Sequence, residues 1–150
     1  MLMPFLSGGN VLDLYAGTGG LGIEAVSRGM THATLVDRQF QAIKVIQSNV
    51  DKTHDAAAFS ILKMPAQQAL QNFVAAQQTF DLVFLDPPYA KETIAADMQF
   101  MAQNGLLADG AIILAESNDA ANLPEASTQF NIVRQKQYGI TVVTIYQFDK

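Results

Sequence analysis

The chain has 150 residues, with nine Lys and Arg against fourteen Asp and Glu, a net charge of −5, 49% apolar residues and no Cys. Low charge with high apolar content is the reverse of the disordered signature, and no apolar run approaches the roughly 20 residues that a bilayer-spanning helix needs. Without Cys there is no disulfide framework, thiolate metal site or cysteine nucleophile, so a cytoplasmic protein without a bound metal is expected. Met1 to Leu6 is too short an apolar stretch, with no basic residue before it, to act as a signal peptide. The nine cationic residues are scattered, so composition alone argues against a chain that holds nucleic acid by itself.

In chain order, Val11 to Tyr15 reads as a first strand, ended by Gly17-Thr18-Gly19-Gly20. A helix runs from there to about Arg28 and stops at Gly29, the residue type best suited to a left-handed position after a helix. Ala33 to Val36 is a second strand, closed by Asp37. Phe40, Ile43, Ile46 and Val50 have the spacing of an amphipathic helix. Phe59 to Leu62 gives a third strand, and Ala66, Ala69, Leu70, Phe73 and Val74 mark another helical face.

Phe80 to Leu85 is a nearly unbroken apolar strand, suited to the centre of a parallel sheet buried on both faces. Asp86-Pro87-Pro88-Tyr89 ends it, because neither proline can donate to a ladder. Ile94, Met98 and Met101 mark a helix whose methionines belong to the core, stopped at Asn104-Gly105; Gly110 to Glu116 is a fifth strand. Phe130 to Gln137 and Ile140 to Phe148, separated by Tyr138-Gly139, read as an antiparallel hairpin. Five β-α units and a hairpin predict one α/β domain over residues 1–150, with a mostly parallel sheet.

Gly17-Thr18-Gly19-Gly20-Leu21-Gly22 follows a strand and opens a helix, and Asp37 ends the next strand twenty residues after Gly17. Glycines there let backbone approach a ligand, and Asp37 can accept both hydroxyls of a ribose, so a nucleoside-containing cofactor is expected. Asp13 lies four residues before Gly17. An acid beneath that loop would repel a pyrophosphate but suits a cofactor with a cationic amino acid end, as in S-adenosyl-L-methionine. Asp86 to Tyr89 follows the strand that adjoins the first in a doubly wound sheet, so both loops should face one crevice. Arg38 could cover the ribose or adenine edge, though an ordinary solvated arginine fits as well. Glu116 ends a strand on the crevice side, while His32 and His54 fit surface or structural roles better than catalysis.

Asp13 to Gly19 and Asp86 to Tyr89 resemble motifs I and IV of the class I S-adenosylmethionine-dependent methyltransferases, the second being the D-P-P-Y signature of amino-group methylators. With their flanks, Leu12 to Gly29 and Asp81 to Tyr89, they are similar to the RsmD-like family of bacterial guanine-N2 methyltransferases of 16S ribosomal RNA. The resemblance implies a Rossmann-like class I methyltransferase fold, a seven-stranded sheet with a C-terminal antiparallel hairpin. It also implies methylation of an exocyclic amino group, with the ribosomal RNA or small ribosomal subunit as partner and no membrane partner. Oligomeric state is left open. In that reading Asp86, the Pro87 carbonyl and a stacking Tyr89 are catalytic. Asp13, Tyr15, Ala16, Gly17, Thr18, Gly19, Asp37 and Arg38 hold the cofactor, with Pro65 and Ala66 at its adenine.

Two departures from the family stand out. Relatives usually carry an acid or amide near the adenine, where this sequence has Lys63-Met64-Pro65-Ala66, leaving the Ala66 N–H and packing by Met64 to serve. Relatives also carry a basic RNA-docking segment before motif I, whereas here Asp13 comes after only twelve residues. A catalytic core without that segment is therefore expected. Adenine N6 of DNA or a protein glutamine shares the D-P-P-Y chemistry, and a cofactor-binding domain without turnover fits the short front. A nicotinamide-dependent oxidoreductase would explain the glycine loop but not Asp86 to Tyr89.

Overall fold

A computed structural model describes residues 8–87, 93–118 and 123–150. Its strands are β1 (Asn10–Asp13), β2 (His32–Asp37), β3 (Phe59–Lys63), β4 (Phe80–Leu85), β5 (Leu107–Ser117), β6 (Phe130–Tyr138) and β7 (Thr141–Phe148). The helices are α1 (Gly20–Ser27), α2 (Phe40–Asp51), α3 (Ala66–Ala75) and α4 (Thr93–Gln103). All seven strands join one sheet in the order β3-β2-β1-β4-β5-β7-β6. β1 to β5 pair in parallel, and β7 pairs antiparallel with both β5 and β6. The strand order reverses between β1 and β4, which opens a crevice at their carboxyl ends.

The apolar runs of β1, β4 and β5 are explained by two cores, one on each face of the sheet. Leu12, Val83, Leu85, Ile113 and Ala115 pack with Leu70 and Phe73 of α3 and with Ile94, Met98 and Met101 of α4. Val11, Leu35, Phe84 and Leu114 face the other way, onto the layer that holds Ala25 of α1 and Ile46 and Val50 of α2. Alternate residues serve opposite layers, so a buried parallel strand reads as continuously apolar. Met98 and Met101 lie in the core, as their spacing indicated. No helix among the described residues is long and apolar enough to cross a membrane.

Three expectations are corrected. Among the described residues four helices follow strands, and none falls between β5 and β6, so the fifth β-α unit has no helix there. β5 begins at Leu107, ahead of Gly110; its register with β4 shifts between Phe80/Leu82, and Gly110, at φ +82°, supplies the backbone conformation that absorbs the extra residues. The hairpin turn is Gly139-Ile140, because Tyr138 still pairs with Thr141, and Gly139 at φ +60° meets the positive φ of a tight two-residue turn.

Gly22 fixes how closely α1 lies on the sheet. A Cβ there would sit 2.4 Å from Cδ2 of Leu35, itself fully buried. Gly22→Ala is expected to destabilise the protein by about 1–3 kcal/mol through overpacking, read from urea denaturation. An unchanged midpoint would show that α1 can move away at no cost.

Candidate active site

The carboxyl ends of four neighbouring strands each present an acid on the same face. Val11, Leu35, Phe84 and Leu114 belong to the α1/α2 core. Asp13, Asp37, Asp86 and Glu116 each follow one of them by two residues, so the period of two puts all four carboxyls on that side. Above this edge is a cavity of about 770 Å³, walled by Tyr15, Gly17, Asp37, Arg38, Met64, Pro65, Ala66, Asp86, Pro87, Glu116 and Thr141 among others.

The glycine loop is tied down by backbone bonds. The Ala16 N–H donates to the Val36 carbonyl (2.8 Å) and the Gly19 N–H to the Ala16 carbonyl (2.8 Å), while the Asn49 side chain donates to the Thr18 carbonyl (2.9 Å). Gly17 and Gly19 both have positive φ, at +60° and +81°. Asp37 closes the arrangement. Its Oδ2 accepts from the Gly17 N–H at 3.0 Å and its Oδ1 from the Gln39 N–H at 2.9 Å. Each carboxylate oxygen has a further lone pair, which leaves acceptor capacity for a ribose diol.

Asp13 lies behind this loop rather than on the cavity wall. It is 3% exposed, and its Oδ2 has no hydrogen-bond partner. Burial is the main reason its pKa is pushed up to about 7, with the charges of Asp86 and Asp37 adding to the rise and the backbone N–H groups of Gly22 and Tyr15 opposing it. A cation held between Asp37 and Asp86 would relieve this repulsion. The residues present therefore fit S-adenosylmethionine, which has a nucleoside at one end and carries ammonium and sulfonium charges.

Tyr15 reaches the cavity wall, but its hydroxyl is engaged elsewhere. It donates to Asp97 Oδ2 on α4 at 2.6 Å, and Asp97 is 4% exposed. Burial raises the pKa of both groups; the shared hydrogen bond then raises that of Tyr15 and lowers that of Asp97. The bond fastens the glycine loop to the helix that follows the Asp86-Pro87 segment. At another stretch of the cavity wall, Pro65 precedes α3 and Ala66 opens it, so the Ala66 N–H has no acceptor within its own helix.

The cavity thus brings together Tyr15, Gly17, Asp37, Arg38, Pro65, Ala66, Asp86 and Pro87. Asp13, Ala16, Thr18 and Gly19 are not on its wall; the first two and Gly19 are buried at the strand end and in the loop, and Thr18 is exposed. Tyr89 lies outside the described residues. Glu116, which the sequence put on the crevice side without a committed role, lines it, and so does Thr141, which the sequence did not single out. β4 and β5 pair Leu85 with Ala115, so the next residues, Asp86 and Glu116, sit side by side. Burial first, then a hydrogen bond to Asp86 and the charge of that neighbour, push Glu116 up to about 7. No local pattern marks Thr141. His32 bonds Ser60 (Nε2 to Oγ, 2.9 Å) and takes no part in the site. Among the described residues no group of His, Asp and Glu could hold a metal ion.

The comparisons with known proteins bear on this arrangement. The profile of the family described as Conserved hypothetical protein 95 matches residues 1–147. The Bacillus subtilis protein named "Putative rRNA methyltransferase YlbH" is 36% identical over 98% of this chain and 80% of its own length. The Escherichia coli protein named "Ribosomal RNA small subunit methyltransferase D" is 30% identical over 97% of this chain and 72% of its own. A solved structure of a conserved hypothetical protein from Streptococcus pyogenes superposes with a TM-score of 0.89 at 44% identity, covering 97% of this chain and 89% of that one.

Proposed function

Because the chain belongs to the Conserved hypothetical protein 95 family of RsmD-like, S-adenosylmethionine-dependent methyltransferases, we propose that it methylates guanine N2 of small-subunit ribosomal RNA. The observation that carries the reading is the position of Asp86 and Pro87 on the wall of the cavity that Gly17 and Asp37 also line. The RNA class is supported by what the relatives in Bacillus subtilis and Escherichia coli are named for. A cytoplasmic location and a single catalytic domain over residues 1–150 belong to the same proposal.

Bound S-adenosylmethionine supplies an electrophilic methyl group. The residues of the chain supply position and polarity. Asp37 receives the ribose hydroxyls and the Ala66 N–H meets the adenine edge, with Pro65 and Met64 packing beside it. Arg38, on the cavity wall, would cover the ribose or adenine edge. Tyr15, Ala16, Gly17, Thr18 and Gly19 hold the loop against the amino acid end, and Asp13 supplies negative charge behind it.

An exocyclic amine is a poor nucleophile because its lone pair is delocalised into the base. Asp86 accepts one N–H bond and the Pro87 carbonyl the other, which localises the lone pair and aims it. The D-P-P-Y motif assigns Tyr89 to stacking on the base, a contact worth about 1–3 kcal/mol in other base-aromatic pairs. Once methylated, the nitrogen sheds its proton to Asp86 or to water.

The test is methyl transfer from labelled S-adenosylmethionine to small-subunit RNA and to 30S particles that lack the modification, with the product nucleoside identified by mass spectrometry. N2-methylguanosine is the expected product. Label on adenine N6, or label in DNA alone, would replace this substrate by another amino group. Cofactor binding without transfer to any of them would leave a cofactor-binding domain.

A further inference from the structure

The outer hairpin carries a cationic stripe that the chemistry above does not use. Between Phe130 and Phe148 the charged residues are Arg134 and Lys136, both positive, in a chain of net charge −5. β6 is the edge of the sheet, and Asn131 to Tyr138 are all exposed. An irregularity between Ile132/Arg134 turns the strand over. Before it, Phe130 and Ile132 stand opposite Phe148 and Tyr146, which belong to the α3/α4 core. After it, Arg134 and Lys136 stand opposite Ile145 and Val143 of the α1/α2 layer, and Tyr138 opposite Thr141. Opposed residues of an antiparallel pair share a face. The stripe therefore lies on the face that carries Asp13, Asp37, Asp86 and Glu116.

The stripe is also level with the site. Glu116 pairs with Val143, and Val143 pairs with Lys136. Two strand spacings put Lys136 roughly 10 Å from Glu116 along that row, and Thr141, facing Tyr138, already lines the cavity. The Lys136 ammonium lies 5.1 Å from the centre of the Tyr138 ring, which stays 46% exposed. Beyond it, Ile140 at the turn is 76% exposed. Cations spaced along a strand, next to a partly exposed aromatic ring, suit a single-stranded polyanion of stacked bases.

We infer that the bulged outer strand β6 is an RNA-docking edge: Arg134 and Lys136 hold phosphates of the strand that flanks the target base, and Tyr138 stacks on a neighbouring base. The inference rests on the RNA reading of the active site. It accounts for how an acidic chain approaches a polyanion at this point, since two of its nine positive residues, Arg134 and Lys136, lie together on one edge beside the cavity.

The test measures binding of a labelled single-stranded fragment of small-subunit RNA, by fluorescence polarisation across a salt series. Arg134→Gln with Lys136→Gln is expected to weaken binding roughly tenfold or more at low salt. The slope of log affinity against log salt should flatten by about 1.4, two single-strand phosphate contacts. S-adenosylmethionine binding, by calorimetry, should be unchanged. Lys44→Gln in α2 with Lys52→Gln just after it removes the same charge and should leave the slope as in the wild type. If the wild type binds RNA and the β6 variant matches it in affinity and slope, the docking edge is wrong while the RNA reading stands. Self-association of the variant with unaltered RNA binding has the same meaning, the cations then serving only to block edge-to-edge pairing. A wild type that neither binds nor methylates RNA overturns the RNA reading itself, and the docking edge with it.

Discussion

Asp86→Ala is expected to lower the turnover number for methyl transfer by roughly 10²–10³-fold while S-adenosylmethionine binds within a few-fold of wild type. The argument begins with position. Asp86 leaves β4 at the point where the strand order reverses, facing the cavity across from the Gly17 loop. An acceptor fixed there by the strand end acts on the amine without reorganising at the moment of reaction, and alanine provides no acceptor in its place. Asp86 also stands among like charges: it contributes to the raised pKa values of both Asp13 and Glu116. Its removal should therefore leave the melting temperature equal or higher, which separates lost chemistry from lost folding. A variant that keeps wild-type turnover would move the amine acceptor elsewhere; one that melts well below wild type would make Asp86 a structural residue.

Asp13→Asn is expected to stabilise the free protein at pH 8 by up to about 4 kcal/mol, with a much smaller effect at pH 4. The sign follows from the direction of the shift. Asp13 titrates near 7 in the folded state against 3.8 for the ordinary group, so the native state binds the extra proton between those values. Its contribution to stability is fully present below 3.8 and is lost as the pH rises through 7. Asn carries no charge to bury, so the gap between variant and wild type should widen across that window. The same change should weaken S-adenosylmethionine binding, and weaken S-adenosylhomocysteine less, because the latter has no sulfonium charge to lose contact with. Urea denaturation at the two pH values and calorimetry with both ligands read these effects. A variant less stable than wild type at pH 8 would show that the buried carboxylate is satisfied.

These two residues differ in how far the sequence reveals them. Asp86 is legible because prolines end an apolar strand directly after it, and the order of strands in a doubly wound sheet sends that end to the crevice. Asp13 is legible as an acid below the glycine loop, but its lack of a partner at Oδ2 is not. Tyr15 shows the same limit. Its place in the loop is clear from the motif, yet its hydroxyl goes to Asp97, 82 residues later, and no local pattern announces a bond between two elements that meet only after folding.

What the sequence by itself determined is everything that depends on neighbours along the chain. The strand and helix periods, the glycine loop with Asp37 after the next strand, the buried character of β4 and the methionine stripe of α4 all rest on spacings of a few residues. The resemblance to class I methyltransferases rests on the same short segments. Tertiary structure decided which strand of the hairpin enters the sheet. β7, with Val142 to Tyr146 buried, lies against β5 and leaves β6 at the edge, which brings Thr141 to the cavity. It also decided the face of Arg134 and Lys136, since one irregularity in β6 reverses the alternation set by Phe130 and Ile132. The physical reason is common to these cases: a period places side chains relative to their own strand, whereas pairing order and register follow from burial between segments far apart in sequence.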